Sequence, residues 1–284
     1  MGKNLLVLSV WVSVLMLASC VGSKKETVTY TPEEIADAGQ VMKYYDASLA
    51  LLKNVVKERD VNAVLGYMEQ KTEVPMFSYI MSPVISKKDS AEVMLPGECF
   101  GADVRQNLIQ NYAELFQSRN QFYANFNKYL SLLKEKKTEG MVDLLNDNYE
   151  LSVVMSECKQ NIFDILSPIA SNAQRVLLAE NPVKEQIIAM KSMSTTMQSI
   201  INLYARKHVE DKSRLDLNIM ELRLQLDAAE KLPVVKGHEE ESEKFKDFLS
   251  KTEGFLKIVQ DARQKNSYAD EDFEEISSYG LGII

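Results

Sequence analysis

Residues able to carry acid–base or nucleophilic chemistry are sparse in this 284-residue chain. It has two histidines, His208 and His238, and neither stands near a recognisable nucleophile motif. The paired Glu-x-x-His motifs of a di-iron helical bundle are absent, as are His-Glu-x-x-His and any glycine-rich phosphate loop. His208 continues a helical apolar stripe, which favours a structural role. We therefore expect a non-enzymatic protein without a metal centre or cofactor.

Three methionines recur at helical spacing and could form a soft metal site. Met190, Met193 and Met197 lie on one side of a predicted helix, and thioether ligands suit Cu(I). Methionines also fill irregular gaps in apolar cores. Because Met190 and Met197 fall on an apolar stripe, a core position is the favoured interpretation and copper binding the alternative.

Asparagines accompany aromatic rings along the second predicted helix. The asparagines are Asn107, Asn111, Asn120, Asn125 and Asn127. Aromatic side chains next to amide groups are able to bind sugars. In this helix, however, the aromatic side chains fall on the inward stripe and the asparagine amides on the outer faces. A solvated polar face is favoured, and glycan binding stays as the alternative.

The stretch before Cys20 has the composition of a secretion signal. Residues 5–17 are apolar apart from two serines, and a single lysine precedes them. A bilayer span needs about 20 apolar residues, so this run is too short to cross but suits the core of a signal peptide. The sequence Leu17-Ala18-Ser19-Cys20 resembles the lipobox of bacterial lipoproteins.

That resemblance implies where the protein resides. The lipobox cysteine of such lipoproteins receives a diacylglycerol and becomes the first residue of the mature chain, so Cys20 is the expected lipidation site and residues 1–19 the signal peptide. Several acyl chains anchor a protein stably, whereas one binds only marginally. Val21, where an aspartate would favour the inner membrane, indicates the outer membrane of a bacterial envelope. Whether the protein faces the periplasm or the surface is left open.

The charge and composition of the chain exclude some classes of partner. Its formal net charge is −8, which argues against nucleic acid, since phosphates demand basic patches. It also argues against electrostatic binding to anionic lipid. Eleven glycines and seven prolines are few for a sheet fold rich in tight turns.

Residues 20–30 are expected to tether the folded part of the chain to the lipid anchor. The chain after them has the apolar spacing of long helices. Apolar residues recur at steps of three and four over most of residues 31–265, which keeps one helix face buried. Thr31 and Pro32 open the first helix, which we run to Gln70. Strand signals are nearly absent. The sequence predicts an all-α fold, an elongated antiparallel bundle of about five long helices.

Some details of that bundle stay open at this stage. A short turn at Gly140 makes the second and third helices an antiparallel hairpin, whereas the continuity of residues 182–232 is undecided. The tail, 266–284, carries a weak short helix. Together with the lipobox, this pattern resembles the uncharacterised long-helix lipoproteins of the Bacteroides group, a resemblance that implies no particular activity.

Two polar residues interrupt the stripes of the predicted hairpin. Arg119 is expected roughly opposite residues 157–160, and Asn148 fills a gap in the third stripe. Polar layers of this kind fix helix register at some cost in stability. Cys99 and Cys158 lie too far apart along the hairpin for a disulfide, whose Cα atoms are within about 7 Å.

Residues 71–100 have no sustained period and contain three prolines. An irregular connection of this length is uncommon and usually functional or disordered. Its apolar side chains make Phe77, Tyr79 and Ile80 the candidate partner-binding residues, with packing across the bundle end as the alternative.

These observations lead to a function class. The leading hypothesis is a membrane-anchored, non-enzymatic lipoprotein that binds a protein partner or scaffolds an envelope complex. The alternative is a small-ligand or glycan binder, which predicts a cavity lined by the aromatic residues of the second helix.

Overall fold

The computed structural model describes residues 29–70, 85–204, 212–265 and 275–276. Within these ranges it is built from α-helices and contains no strand. Five of the eight helices have 21 or more residues, which confirms the all-α bundle of about five long helices. The helices are α1 (Pro32–Val55), α2 (Glu58–Gln70), α3 (Lys87–Val93), α4 (Ala102–Lys134), α5 (Met141–Leu177), α6 (Lys184–Tyr204), α7 (Lys212–Ala229) and α8 (Glu239–Lys265).

The start of α1 is the capping box that the sequence predicts. The backbone N–H of Glu34 donates to Thr31 Oγ1 at 3.2 Å, and the Thr31 N–H donates back to the Glu34 carboxylate at 2.7 Å. Pro32 occupies the first turn, where its missing N–H leaves no bond unmade.

The prediction of one helix from Thr31 to Gln70 is wrong, because α1 ends at Val55 and α2 begins at Glu58. Val56 is extended, with φ −136° and ψ 102°. Side chains from α4 and α5 donate hydrogen bonds to the backbone carbonyls at the break. Arg119 Nε donates to the Val55 oxygen at 2.8 Å and Lys159 Nζ to the Val56 oxygen at 3.3 Å. The last carbonyls of a helix have no N–H partner within the helix and need such donors.

Helices α4 and α5 form the predicted antiparallel hairpin. Gly140 precedes α5 with φ +76°, a left-handed conformation that glycine adopts without strain. Asn148 Nδ2 on α5 donates to the Phe122 carbonyl on α4 at 3.2 Å. At 1.5 Å per residue, the 37 residues of α5 extend about 55 Å, so α5 is the longest described element.

The segment 71–100 is only partly irregular, which corrects the sequence interpretation. It contains α3, whose start is capped by Ser86 Oγ accepting from the N–H groups of Lys88 and Asp89. The Tyr44 hydroxyl on α1 donates to the Val93 carbonyl at 2.6 Å and ties α3 to the bundle.

Residues 182–232 are not one continuous helix. Asn218 Nδ2 donates to Ser199 Oγ at 3.2 Å, whereas 19 residues of unbroken helix would separate the two by about 28 Å. The chain therefore reverses between α6 and α7. Residues 205–211, with His208, lie outside the described part of the chain.

The buried apolar side chains form two clusters. The first is built by α1 to α5, and the second by α6, α7 and α8 together with Ile276. The stripe predicted for the last helix is entirely buried in α8: Phe245, Phe248, Thr252, Phe255 and Val259. None of the helices in the described ranges combines the length and apolar character needed to cross a membrane.

Candidate functional site

A cleft of about 540 Å³ opens where α1 and α5 face α6 and α7. Small-molecule sites usually enclose about 300–1,000 Å³. The cleft is lined by apolar and aromatic side chains, by four kinds of neutral polar side chain and by charged groups of both signs. We refer to it below as the interhelical cleft.

Three hydroxyls from three helices meet in the wall of the interhelical cleft. The Tyr45 hydroxyl on α1 lies close to the hydroxyls of Thr195 on α6 and Ser167 on α5. Burial raises the pKa of Tyr45, and these two neighbouring hydroxyls oppose the rise without cancelling it. The phenol therefore remains protonated at neutral pH and able to donate a hydrogen bond.

Pro168 interrupts the backbone hydrogen bonds of α5 at the cleft. A proline lacks an N–H, so Pro168 has none to donate to the carbonyl of Asp164. The Ser167 hydroxyl beside it donates to the Phe163 carbonyl at 2.6 Å. Pro168 itself lines the cleft.

Ten neutral polar side chains line the cleft. Some bond to one another: Gln198 Nε2 donates to Asn202 Oδ1 at 3.0 Å, and Gln225 Nε2 donates to the Glu221 carboxylate at 3.1 Å. Gln225 Oε1 is buried and has no hydrogen-bond partner. The ten are Ser167, Ser171, Gln174, Ser192, Ser194, Thr195, Thr196, Gln198, Asn202 and Gln225.

Charged side chains are ordered along the cleft. Tyr45 is level with Thr195, which places Asp46 near the middle. Lys191 precedes Thr195 by four residues and Lys53 follows Tyr45 by eight. Helices α1 and α6 both run antiparallel to α5, so these lysines lie at opposite ends, about 18 Å apart along the helix axes.

Polar side chains also meet at the α1–α2 break, where the predicted polar layer is confirmed. Arg119 is 5% exposed and packs over the Tyr123 ring at 5.3 Å. Lys159 from α5 approaches Glu58 at 3.8 Å in the same layer. Burial lowers the pKa of Arg119. The layer joins α4 and α5 to the adjoining ends of α1 and α2.

A second candidate site is an apolar strip on α7. Leu217, Met220 and Leu224 are 60%, 56% and 60% exposed. At 3.6 residues per turn they lie within about 60° of one another around the helix, while Leu222 and Leu226 on the opposite side are buried in the second core. We call this strip the apolar α7 face.

The candidate site residues of the sequence analysis cannot be placed relative to either site. Cys20 and the segment with Phe77, Tyr79 and Ile80 lie beyond the described ranges. No α4 side chain lines the interhelical cleft, so this cleft is not the cavity of α4 aromatics that the ligand-binding alternative predicts. Those rings are core: Tyr112, Phe122, Phe126 and Tyr129 are at most 2% exposed.

The methionines and asparagines singled out in the sequence differ in burial. Met193 and Met197 are buried in the second core. Among the described residues, no group of three or more His, Cys, Asp or Glu is placed to hold a metal ion. Asn125 departs from the outward pattern, since it is buried and its Oδ1 accepts from Gln121 Nε2 at 2.7 Å.

Comparison with known proteins places the chain in a family. Residues 32–180 match a domain of unknown function, DUF6845, and residues 182–284 match the DUF3829-like C-terminal domain. A DUF3829-like protein from Bacteroides thetaiotaomicron VPI-5482 is 47% identical, with a TM-score of 0.77, over 89% of this chain and 100% of that chain. The chain belongs to the DUF3829-like family.

A second solved structure agrees with this assignment. It is an alpha-helical protein from Bacteroides fragilis NCTC 9343, 52% identical with a TM-score of 0.82, covering 89% of this chain and 98% of that chain. No curated protein matches. The two matched segments of this DUF3829-like protein meet at Asn181, so the interhelical cleft has α1 and α5 from one and α6 and α7 from the other.

Proposed function

We propose that this protein is a non-enzymatic, lipid-anchored protein of the bacterial cell envelope that binds a protein partner through the apolar α7 face. Cys20 supplies the anchor after removal of residues 1–19. The described helices then lie at the membrane surface, outside the bilayer. The bundle binds the partner and keeps it at the envelope.

The single observation that carries this proposal is the exposure of Leu217, Met220 and Leu224. Apolar residues scattered singly on a surface need no explanation, whereas a contiguous exposed strip marks an interaction site. Helix α7 already buries Leu222 and Leu226 in the second core. Its outer strip contributes nothing to that core and is available to a partner.

Acidic residues on both sides of the strip define the chemistry of the partner. Glu221 lies along one edge of the apolar α7 face and Asp227 along the other. Asp216, on the same edge as Asp227, is already paired with Arg263 through two hydrogen bonds of 2.9 and 3.0 Å, so it adds little net charge. Complementary charge steers association, so the partner presents an apolar patch flanked by lysine or arginine.

The test replaces Leu217, Met220 and Leu224 together with serine in the lipidated protein. Cells are cross-linked, membranes are solubilised, and proteins that copurify are quantified by mass spectrometry. We expect the partner recovered with the unaltered protein to be lost, because burial of apolar surface is the main favourable term in most protein association.

A matched variant controls for the loss of exposed apolar surface. Leu95, Val142 and Val234 are 76%, 60% and 54% exposed but lie on separate elements. Their joint replacement with serine should leave partner recovery unchanged. Equal loss in both variants, or retention in the α7 variant, would refute the assignment of this face.

A further inference from the structure

We propose that the interhelical cleft binds a short, hydroxyl-rich oligosaccharide. This site adjoins the apolar α7 face at Glu221, but the inference does not rest on the partner binding proposed above. It follows from the chemistry, order and length of the groups that line the cleft.

The lining matches a ligand that both donates and accepts hydrogen bonds. Serine, threonine, asparagine and glutamine side chains each offer both functions, and ten of them line the cleft. More of the exposed surface of the cleft is apolar than polar, so a matching ligand combines hydrogen-bonding groups with apolar faces. A sugar does so, because its hydroxyls donate and accept hydrogen bonds and the C–H faces of its rings are apolar.

The charges favour an elongated ligand that is neutral overall. The charged side chains of the lining are Asp46, Glu221, Lys53, Lys159 and Lys191. Lys159 already faces Glu58 at 3.8 Å, which leaves two carboxylates and two lysines for a ligand. Asp46 lies near the middle, and Lys191 and Lys53 lie towards the two ends. Glu221 is one turn from Asn218, whose amide donates to Ser199 Oγ. Carboxylates accept from hydroxyls in charge-assisted hydrogen bonds. The separation of about 18 Å between the lysine positions suits a short oligomer rather than a single sugar.

The floor of the cleft is already organised for such a ligand. Tyr45, Ser167 and Thr195 lie close together on three packed helices, so their hydroxyls are gathered at one place before a ligand binds. Met42 and Leu49 supply apolar surface nearby on α1, against which the C–H faces of sugar rings can pack. Preorganisation of this kind reduces the entropic cost of binding.

Saturation-transfer NMR on the full lipidated chain, in a detergent without a sugar headgroup, tests the proposal. The probes are neutral trisaccharides of glucose, galactose, mannose and N-acetylglucosamine, with tetra-alanine as the peptide comparison. We expect transfer to at least one trisaccharide. Transfer to tetra-alanine alone, or to none of these trisaccharides, overturns the proposal.

Two variants locate the binding. Ser192→Trp, on α6, places a large ring in the cleft and should abolish the trisaccharide signal. The control is Ser152→Trp, at a half-buried serine of α5 that lies outside the cleft. It should retain the signal. A folded Ser192→Trp protein with an unchanged signal overturns the proposal.

A further substitution, Asp46→Asn, tests the site without a bulky side chain, in case Ser192→Trp disturbs folding. Asp46 is exposed, so Asp46→Asn leaves the bundle intact, and loss of a charge-assisted bond should weaken binding about tenfold. Asp147→Asn, an exposed aspartate of α5 outside the cleft, should leave affinity unchanged. Equal affinity of the Asp46→Asn variant and the unaltered chain overturns the assignment.

Discussion

The guanidinium Nε of Arg119 lies 2.8 Å from the carbonyl oxygen of Val55, a residue 64 positions earlier in the chain. This bond joins the middle of α4 to the last residue of α1. It explains why an arginine occupies a stripe that is otherwise apolar: the carbonyl released by the helix break has a donor only because this side chain is buried beside it.

Arg119→Met should therefore destabilise the fold. The methionine keeps apolar packing but leaves a buried carbonyl without its donor, a loss of about 1–3 kcal/mol. Urea unfolding followed by circular dichroism measures the change. Arg175→Met, at an exposed position of α5, should alter stability by no more than about 0.5 kcal/mol. Equal stability of the two variants would contradict the role of Arg119.

Asn148→Leu should leave stability unchanged or raise it slightly. Asn148 is 0% exposed, and its Oδ1 has no partner, so a leucine of similar volume removes an unsatisfied acceptor. Asn148→Ala, which leaves a cavity, should lose about 2 kcal/mol or more. The comparison is made by thermal and urea unfolding. A leucine variant as unstable as the alanine variant would show that the amide is needed for α4–α5 packing.

Cys158 should resist alkylation in the folded protein. Burial, and then the nearby carboxylate of Glu114, raises the pKa of the Cys158 thiol to about 12, so almost none is thiolate at neutral pH. Cys99, which is half-buried, should react first, and both are free in the structure. Peptide mass spectrometry after iodoacetamide treatment, with and without urea, measures this. A disulfide between them, or rapid native labelling of Cys158, would contradict it.

The same thiol predicts the sign of a pH effect. An unfolded cysteine releases its proton near pH 8.5, whereas folded Cys158 holds it up to a pKa of about 12. The folded state binds more protons in this interval, so stability falls as pH rises through it. Cys158→Ala should show a weaker fall than the unaltered chain in urea unfolding over this range.

Cys20→Ala should release the protein from the membrane fraction and abolish labelling with an alkyne fatty acid, because acylation needs that thiol. Cys99→Ala retains Cys20 and should stay anchored. Fractionation and in-gel detection give both readouts. Unchanged labelling of the Cys20→Ala variant would end the lipoprotein assignment.

Replacement of Phe77, Tyr79 and Ile80 with serine tests the segment favoured by sequence. If it binds the partner, helical circular dichroism and membrane attachment should persist while cross-linked partner is lost. A fall in helicity or melting temperature would instead identify a lid over the bundle end. If stability and capture both survive, the binding surface lies elsewhere, as the α7 proposal expects.

Much of the fold follows from local sequence patterns. Examples are the Thr31 capping box, the turn at Gly140 and the buried stripe of α8. Each of these features depends on residues that are near one another in the chain. The break at Val56 is different, because no glycine or proline marks it. It depends on donors from Arg119 and Lys159, 64 and 103 residues away, which a local pattern does not reveal.

The interhelical cleft was not predicted because its polar groups come from four helices. The polar residues that any one of these helices contributes resemble an ordinary solvent-exposed helix face. The serine and threonine run at residues 192–196 on α6 and the proline at 168 within α5 were the local signals. Only the packing of α1 beside α6, through α5, brings Tyr45 to Thr195 and encloses the space between them.

The separation of the buried side chains into two clusters has a consequence for cooperativity. Each cluster can melt at its own temperature, so calorimetry of the ligand-free protein should resolve two endotherms rather than one. Any molecule that touches α1 and α5 on one side and α6 and α7 on the other binds only while both clusters are intact. Its occupancy would therefore couple the two transitions and draw them towards a single one.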